Sequence, residues 1–469
     1  MIFSTTMLPP LFVNTLYQEA SGAPFLQSFA LLLVAGVLLF LPLRNHRNEL
    51  RLRDGFMVVV MFWFVLGSAG GIPLYLSGIN DISITDAVFE AISGLTTTGA
   101  TVIVGLDTLP HAILFYRQQL QWLGGMGIIV LAVAVLPMLG IGGMQLYRAE
   151  TPGPVKDTKL TPRITETAKA LWYIYLGLTV SCGLAYWMAG MTPFDAISHA
   201  FSTVAIGGFS THDASMGFFQ NTGIELVAIV FMLLSGVNFG LHFAVFRQRR
   251  LLPYIRDAEF RTYLMVLATV SVITISYLLF TKTFESPAET IIEGLFQVVS
   301  IGTTTGFTTQ EYYTWPGFLP VLLLYISFMG GCAGSTGGGI KVIRILLLVK
   351  QGLRELKRLV HPSAQFAVKI GRKPVPDNVI EAVWGFFAAY FAISAIMILL
   401  LMASGLNQDT AFSAVAACLN NLGPGLDQVG QNFASINDFA KWLLCLAMLL
   451  GRLEIFTLLV LLTPGFWRK

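Results

Sequence analysis

The sequence predicts an all-α polytopic membrane protein: four helix–pore-loop–helix repeats around a central pore, with an extra helical segment at the N-terminus. Three observations predict it. The composition suits a bilayer, long apolar runs alternate with loops whose charge is one-sided, and one short acidic-to-glycine design occurs four times. Of the 469 residues, 55% are hydrophobic and 12% charged, with a mean hydropathy of +0.71. Soluble chains carry about 25% charged residues, so a soluble enzyme or a nucleic-acid-binding domain is excluded as the class.

Apolar runs able to cross a hydrocarbon core of about 30 Å lie near 25–43, 56–77, 117–146, 171–190, 224–246, 262–281, 317–349, 380–404 and 440–463. The longest of them must tilt, bend or break. Residues 1–17 are apolar, contain Pro9 and Pro10, and are too short to span alone; they read as part of a helix or an interfacial segment. Placing 44–55 on the cytoplasmic side assigns every other loop by alternation. Twenty-five of the 29 Lys and Arg residues then fall inside, in 44–55, 148–169, 247–261, 341–373 and the C-terminus. That asymmetry is the positive-inside pattern. Fifteen of the 26 acidic residues fall outside, opposed there by Arg117, Lys282 and Lys441. A negative outer mouth concentrates cations and repels anions.

The repeated design begins with an acidic residue and reaches a glycine within a Thr/Ser/Gly-rich turn 13 residues later. Asp86 leads to Gly99, Asp195 to Gly208 and Glu293 to Gly306; Asp409 leads to Gly423 with one residue more. Each copy lies between two apolar runs, so it reads as a half-length helix and a re-entrant loop. Such backbone is tolerated at membrane depth only where it is buried in protein or lines water. Four ordinary external turns are the alternative for any single copy; four copies at matched spacing favour a pore. The candidate filter is Thr97, Thr98 and Gly99; Ile206, Gly207 and Gly208; Thr304, Thr305 and Gly306; and Asn421, Leu422 and Gly423. Glycine takes positive φ at little cost, letting carbonyl oxygens turn one way and replace a cation's hydration shell. Hydroxyls of Thr98, Thr101, Ser210, Thr305 and Thr308 are expected to tie the loops in place. The four leading carboxylates are expected at the N-terminal ends of the half-helices, where they favour the helix dipole. The expected units are a segment 1–54 and repeats over 55–160, 161–255, 256–372 and 373–469.

A glycine recurs 25–28 residues past each filter glycine, at Gly125, Gly236, Gly331 and Gly451. Close helix packing explains the first two equally well. The third copy holds Gly330, Gly331, Gly334, Gly337, Gly338 and Gly339, with Ser335 and Thr336 between them. Each glycine costs up to about 1 kcal/mol of helix propensity, so a break into a gating loop below the filter is expected. The string lacks phosphate-loop spacing and no strand precedes it. Arg452 and Glu454 sit within an apolar span, where charges are by default functional. They are two apart and do not share a helix face, so at least one of them is expected to face another helix or the pore; a cation at the pore axis would set a barrier to cations, and a structural salt bridge between helices is the alternative. Cys182, Cys332, Cys418 and Cys445 read as small buried hydrophobes rather than a metal or disulfide set. His199 and His242 read as packed or pore-lining. Nothing in the motifs suggests an enzyme, and the parallel fourfold pattern disfavours a two-repeat organic-solute symporter.

The strings TTTGAT, IGGFST, TTTGFTT, NNLGPGL, GGCAGSTGGGIKVIR and LLGRLEIFTLL resemble the TrkH family of bacterial potassium-uptake subunits, within the wider Trk/Ktr/HKT superfamily. The resemblance covers nearly the whole chain. It implies K⁺ as the transported ion, inner-membrane localisation, and a homodimer in which each protomer carries its own pore. It further implies one filter glycine per repeat, matching Gly99, Gly208, Gly306 and Gly423, with K⁺ preference because Gly99 stands where Na⁺-preferring plant relatives have serine. The glycine-rich segment 330–339 matches the family's gating loop, and Arg452 the arginine below its filter. A cytoplasmic TrkA-type regulatory subunit is the implied partner, binding nucleotide on this chain's behalf. The basic stretch 350–373 is a plausible docking surface for it, or a lipid-headgroup anchor. Two helices precede the repeats in the family, whereas here the first is reduced to 1–17.

Overall fold

The computed structural model describes residues 1–45, 52–130, 164–371 and 373–468. The far part of the 117–146 run and most of the basic loop 148–169 lie outside them. The apolar N-terminus winds as a 3₁₀ segment Ile2–Met7 into α1 (Leu8–Leu16), too short to cross a bilayer. The spanning helix α2 (Ala23–Leu43) follows. Glu19, between them, accepts from the His111 amide at 2.7 Å and fastens this end to the first repeat.

Each repeat then supplies an outer helix, a half-length pore helix and an inner helix. In the first, these are α3 (Leu52–Gly70) with its short extension α4 (Ile72–Leu76), α5 (Ile84–Leu95) and α6 (His111–Val130). The second has α7 (Ile164–Met188), α8 (Pro193–Ala205), and an inner helix in two pieces, α9 (Thr222–Ser235) and α10 (Phe239–Gln248). A short α11 (Leu252–Arg256) leads to the third: α12 (Ala258–Thr281), α13 (Pro287–Gly302), α14 (Leu319–Met329) and, beyond the glycines, α15 (Val342–Val360). The fourth has α16 (Asp377–Ala403), α17 (Gln408–Leu419), α18 (Asp438–Arg452) and α19 (Phe456–Leu462). The inner helices of repeats 2 and 4 bend by 94° and 114° at their breaks. The only strands among the described residues form a small hairpin, Lys369–Ile370 with Lys373–Pro374.

Sequence sets the pore helices' length. Side chains of Ser83, Thr192 and Asn407 accept from the amides of Asp86, Asp195 and Thr410 and start α5, α8 and α17. Polar, glycine-bearing turns stop them after 12 or 13 residues in these repeats, about 18–20 Å at 1.5 Å per residue. The third pore helix departs from expectation. It begins a turn earlier with Pro287 and runs 16 residues, so Glu289 holds the first turn and Glu293 lies deeper in the helix.

Packing closes the repeats into a ring. Each outer helix lies on its own pore helix, and each inner helix touches its own pore helix and that of the next repeat. Thus α6 packs on α8, α9 on α13, α14 on α17 and α18 back on α5. The pore helices are buried mainly in their C-terminal halves; Ala87 to Leu95 of α5 are buried without exception. The spanning helices instead turn large side chains outward, including Phe62, Trp187, Phe280, Trp384 and Leu399. In water such faces would be a liability; in lipid they need no partner. Gly125, inside a continuous α6, allows close approach to Ala205 and the Tyr175 hydroxyl, the packing role open to it from sequence.

Candidate ion-conduction site

At the end of each pore helix the chain reverses in the same way. The amide just before each filter glycine bonds back to a carbonyl five residues earlier: Thr98 to Ser93 at 2.9 Å, and Gly207 to Ser202, Thr305 to Ser300 and Leu422 to Ala417, each at 2.8 Å. The amides of Thr97, Ile206, Thr304 and Asn421 likewise return to helix carbonyls. Those same four residues adopt φ of +53°, +55°, +68° and +53°. Two positions on, Gly99, Gly208, Gly306 and Gly423 have φ of +83°, +78°, +83° and +99°, with no positive φ at the residue between. A strand of alternating hand whose amides point into the protein presents its carbonyls on the other face. Only glycine enters this conformation without cost; the non-glycine residues one pair earlier are held by their double attachment to the helix.

The four glycines meet each other. A Cβ on Gly99 would collide with the carbonyl oxygen of Gly207, one on Gly208 with that of Thr305, and one on Gly306 with that of Leu422. One on Gly423 would stand 2.7 Å from the carbonyl oxygen of Thr98, which closes the circuit. The structure therefore brings together Gly99, Gly208, Gly306 and Gly423 and the residue before each, Thr98, Gly207, Thr305 and Leu422, with Thr97, Ile206, Thr304 and Asn421 next to them in the chain. All four glycines also line one open cavity of about 560 Å³ on the acidic side of the filter.

Behind the ring, a carboxylate–hydroxyl tie joins each outer filter limb to its pore helix, but not always through the expected residues. In repeat 1 the carboxylate is Glu90, which takes the Thr101 hydroxyl at 3.0 Å and the Val102 amide at 2.9 Å. Asp86 instead holds Lys441 of repeat 4 at 2.7 Å. Asp195 takes Thr211 at 2.8 Å, and Glu293 takes Thr309 rather than Thr308, whose contacts are made by its main chain. Repeat 4 reverses the polarity: Asp427 in the limb takes the Thr410 hydroxyl of the helix at 2.8 Å. Asp409 stays in the helix's first turn, as expected. Thr98, Ser210 and Thr305 are tied by hydroxyl as expected, to Thr96, His199 and Thr303. His199 is thus packed behind the filter, and His242 bonds Tyr254 and the Leu234 carbonyl away from it.

Below the ring, the third inner helix breaks as its glycines predict. All eight candidate loop residues, Gly330, Gly331, Gly334, Ser335, Thr336, Gly337, Gly338 and Gly339, lie between α14 and α15 against the pore-helix ends. The Gly338 amide donates to Thr304 Oγ1 at 2.7 Å and the Gly339 amide to the Asn420 carbonyl at 2.9 Å. Thr336 Oγ1 donates to the Val204 carbonyl at 3.0 Å. A Cβ on Gly338 would strike the Asn420 carbonyl, so side chains cannot pass here. Arg452, 3% exposed, lies beside the loop: one guanidinium nitrogen donates to the Thr336 carbonyl at 3.0 Å and another to the Gly124 carbonyl at 3.3 Å. Glu454 pairs with Arg344 at 2.6 Å rather than with Arg452. The loop and Arg452 together touch all four repeats directly under the ring.

Known proteins with this fold are cation transporters. The family model TrkH, described as a cation transport protein, matches residues 21–468. The chain is 60% identical to the Trk system potassium uptake protein TrkH of Vibrio parahaemolyticus, covering 100% of this chain and 97% of that one. It is 57% identical to the TrkH of Escherichia coli K12 over the same shares. The crystal structure of the potassium transporter TrkH from Vibrio parahaemolyticus superposes with a TM-score of 0.92, covering 100% of this chain and 97% of that chain. The chain belongs to the TrkH family. It is a multi-pass transporter of the bacterial inner membrane, not an enzyme.

Sequence reading missed Arg117 and Gln121, which brace repeat 1 against repeat 2, and the cross-repeat bond of Asn421. Arg117 is 1% exposed, pairs with Glu90 at 2.8 Å, donates to the Ser210 carbonyl at 3.1 Å and lies over the Phe209 ring. Gln121 brackets the second filter strand, donating to the Gly207 carbonyl at 2.6 Å and accepting from the Phe209 amide at 3.1 Å. Asn421 donates to Thr98 Oγ1 at 3.0 Å, joining the last filter strand to the first. The one sequence signal for Arg117 and Gln121 is their polarity inside an apolar run. At the mouth, His212 stacks on Phe218 and sits 2.5 Å from Asp107 and 3.5 Å from Asp195. Burial pushes its imidazole down, but the bonds and charges of these two carboxylates more than offset this and leave its pKa raised.

Proposed function

We propose that this TrkH chain carries K⁺ into the cell through its four-repeat filter, with the segment 330–339 and Arg452 as the gate. The observation that carries the reading is the closed circuit of filter carbonyls and glycines. Successive oxygens from four strands can substitute for water around a dehydrated monovalent cation. Four pore helices aim their C-terminal ends, each equivalent to about half a negative charge, at that point. The acidic outer side supplies cations to it. Curated relatives named as Trk system potassium uptake proteins, at 57–60% identity over the whole chain, support K⁺ as the ion.

Gate function is supported by the loop's position against the pore-helix ends and by Arg452, a buried cation beneath the cation path. Opening requires the loop to leave the axis, and α15 leads from it directly into the basic stretch 350–373. A cytoplasmic nucleotide-binding TrkA-type subunit docking there would move α15 and with it the loop, with the transporter working as a homodimer of two separate pores. The test is ⁸⁶Rb⁺ uptake into proteoliposomes holding the purified chain, with K⁺ and Na⁺ as competitors. K⁺ should compete well and Na⁺ poorly, and shortening 330–339 should raise uptake without the partner. Absence of any ⁸⁶Rb⁺ uptake from both forms overturns the conduction reading.

A further inference from the structure

We propose that Glu259 is the positioning residue that latches the glycine-rich loop in the blocking position and couples it to the helix that leaves the pore. The proposal rests on the reading of 330–339 as a gate and adds the part that holds it shut. Glu259 belongs to the first turn of α12, the outer helix of repeat 3, and is buried at 8% exposure. Its Oε1 accepts from two main-chain amides, Ala333 at 2.7 Å and Ile343 at 3.2 Å. Ala333 belongs to the descending limb of the loop and Ile343 to the first turn of α15, so one carboxylate oxygen closes the loop at its base.

The loop's other bonds to its surroundings include one from a charged partner, Arg452 to the Thr336 carbonyl, and several neutral ones. Gly339 to Asn420 and Cys332 to Gly236 are main-chain pairs, and Gly338 to Thr304 is a neutral hydroxyl bond. Glu259 differs in that a single side-chain oxygen takes both amides, so one atom joins the two ends of the loop. The platform is held apart from this bond: Asp257 caps α12 through the Phe260 amide at 2.8 Å, and Tyr263 and Leu267 are buried in a core shared with the neighbouring repeats. Any displacement of α15 along its axis breaks the Ile343–Glu259 bond and removes one of the two amides that fix Glu259 in place. The Ala333 limb then loses its anchor's orientation. A pull on the cytoplasmic helix is thereby converted into release of the plug.

The experiment measures partner-free ⁸⁶Rb⁺ efflux and the ⁸⁶Rb⁺/²²Na⁺ flux ratio from proteoliposomes of the full chain carrying Glu259→Gln, Glu259→Ala or Glu259→Asp. Glutamine keeps one acceptor oxygen at the same reach but turns the other into a donor, alanine removes both bonds, and aspartate keeps the carboxyl on a shorter arm. Efflux should rise several-fold for Gln and about tenfold for Ala, the loss of two buried hydrogen bonds, with Asp nearest the parent. The flux ratio should be unchanged in all three. Wild-type efflux from the Ala form, while a shortened 330–339 leaks, overturns the latch and leaves the gate reading intact. No leak from the shortened loop overturns the gate reading itself. Raised efflux with a collapsed flux ratio also overturns the latch, because it reports a damaged filter. If the Ala form fails to fold, the Gln form decides by the same criteria.

Discussion

Replacing Gly99 with serine tests the filter at the point where its geometry is most constrained. Gly99 holds φ +83° and faces the Gly207 carbonyl so closely that a Cβ cannot be accommodated. Two costs follow. A side chain in the left-handed region costs about 1–2 kcal/mol of conformational energy. The Gly207 oxygen must also withdraw by on the order of an ångström to restore ordinary carbon–oxygen contact. For an oxygen bearing about half a charge, retreat from about 2.8 to 3.8 Å from a monovalent ion forfeits about 0.8 kcal/mol at an effective dielectric constant of about 20. Spread unequally between a larger and a smaller ion, a loss of that size changes discrimination by up to about fourfold. Gln121, bonded to that same carbonyl at 2.6 Å, resists the retreat and transmits it to α6. The assay is the ⁸⁶Rb⁺/²²Na⁺ uptake ratio in proteoliposomes, with thermal unfolding in detergent to register the conformational cost. A Gly99→Ser form with the parent's flux ratio and the parent's Tm would remove this carbonyl from the ion path.

Three further outcomes are expected. Arg452→Gln should raise partner-free ⁸⁶Rb⁺ efflux, because it removes the charge under the filter and the bridge between the Thr336 and Gly124 carbonyls; efflux at the parent's level would separate Arg452 from the gate. Arg117→Ala strands the buried Glu90 carboxylate and should lower stability by about 3–5 kcal/mol, visible as a large drop in Tm that Glu90→Gln in the same chain partly restores. His212 gives a pH dependence whose sign follows from its raised pKa. Its protonated form contributes stability that is complete below the unfolded value of about 6.5 and is lost as pH rises through the higher folded value. A Tm–pH profile should therefore decline across that window in the parent and flatten there in His212→Asn.

The filter was legible because its requirements are local. Positive φ, short half-helices and capping side chains are written within 16 residues of each glycine, from Ser83 to Gly99, Thr192 to Gly208 and Asn407 to Gly423. Glu293 misled because the spacing rule ignored the extra turn by which Pro287 extends the third pore helix. Asp86 was legible as a first-turn acid, but Glu90, one turn further in, makes the filter tie; which of two carboxylates on one helix faces the loop depends on the helix's rotation against its neighbours. Thr309 took the place of Thr308 for the same reason, since adjacent residues of an extended limb point to opposite sides.

By itself the sequence determined the solvent, the sidedness and the count: apolar runs long enough to span, cations gathered in alternate loops, and four turns that only glycine can complete. The six glycines of 330–339 likewise dictated that the third inner helix must break. Only the tertiary structure decided that the four turns form a closed circuit, which inner helix braces which pore helix, and what Arg452 and Glu259 hold. The physical reason is distance along the chain. Arg452 bonds Gly124 across 328 residues and Asn421 bonds Thr98 across 323. Such pairings have no local signature; they exist because helix packing around a common axis brings the first repeat against the last.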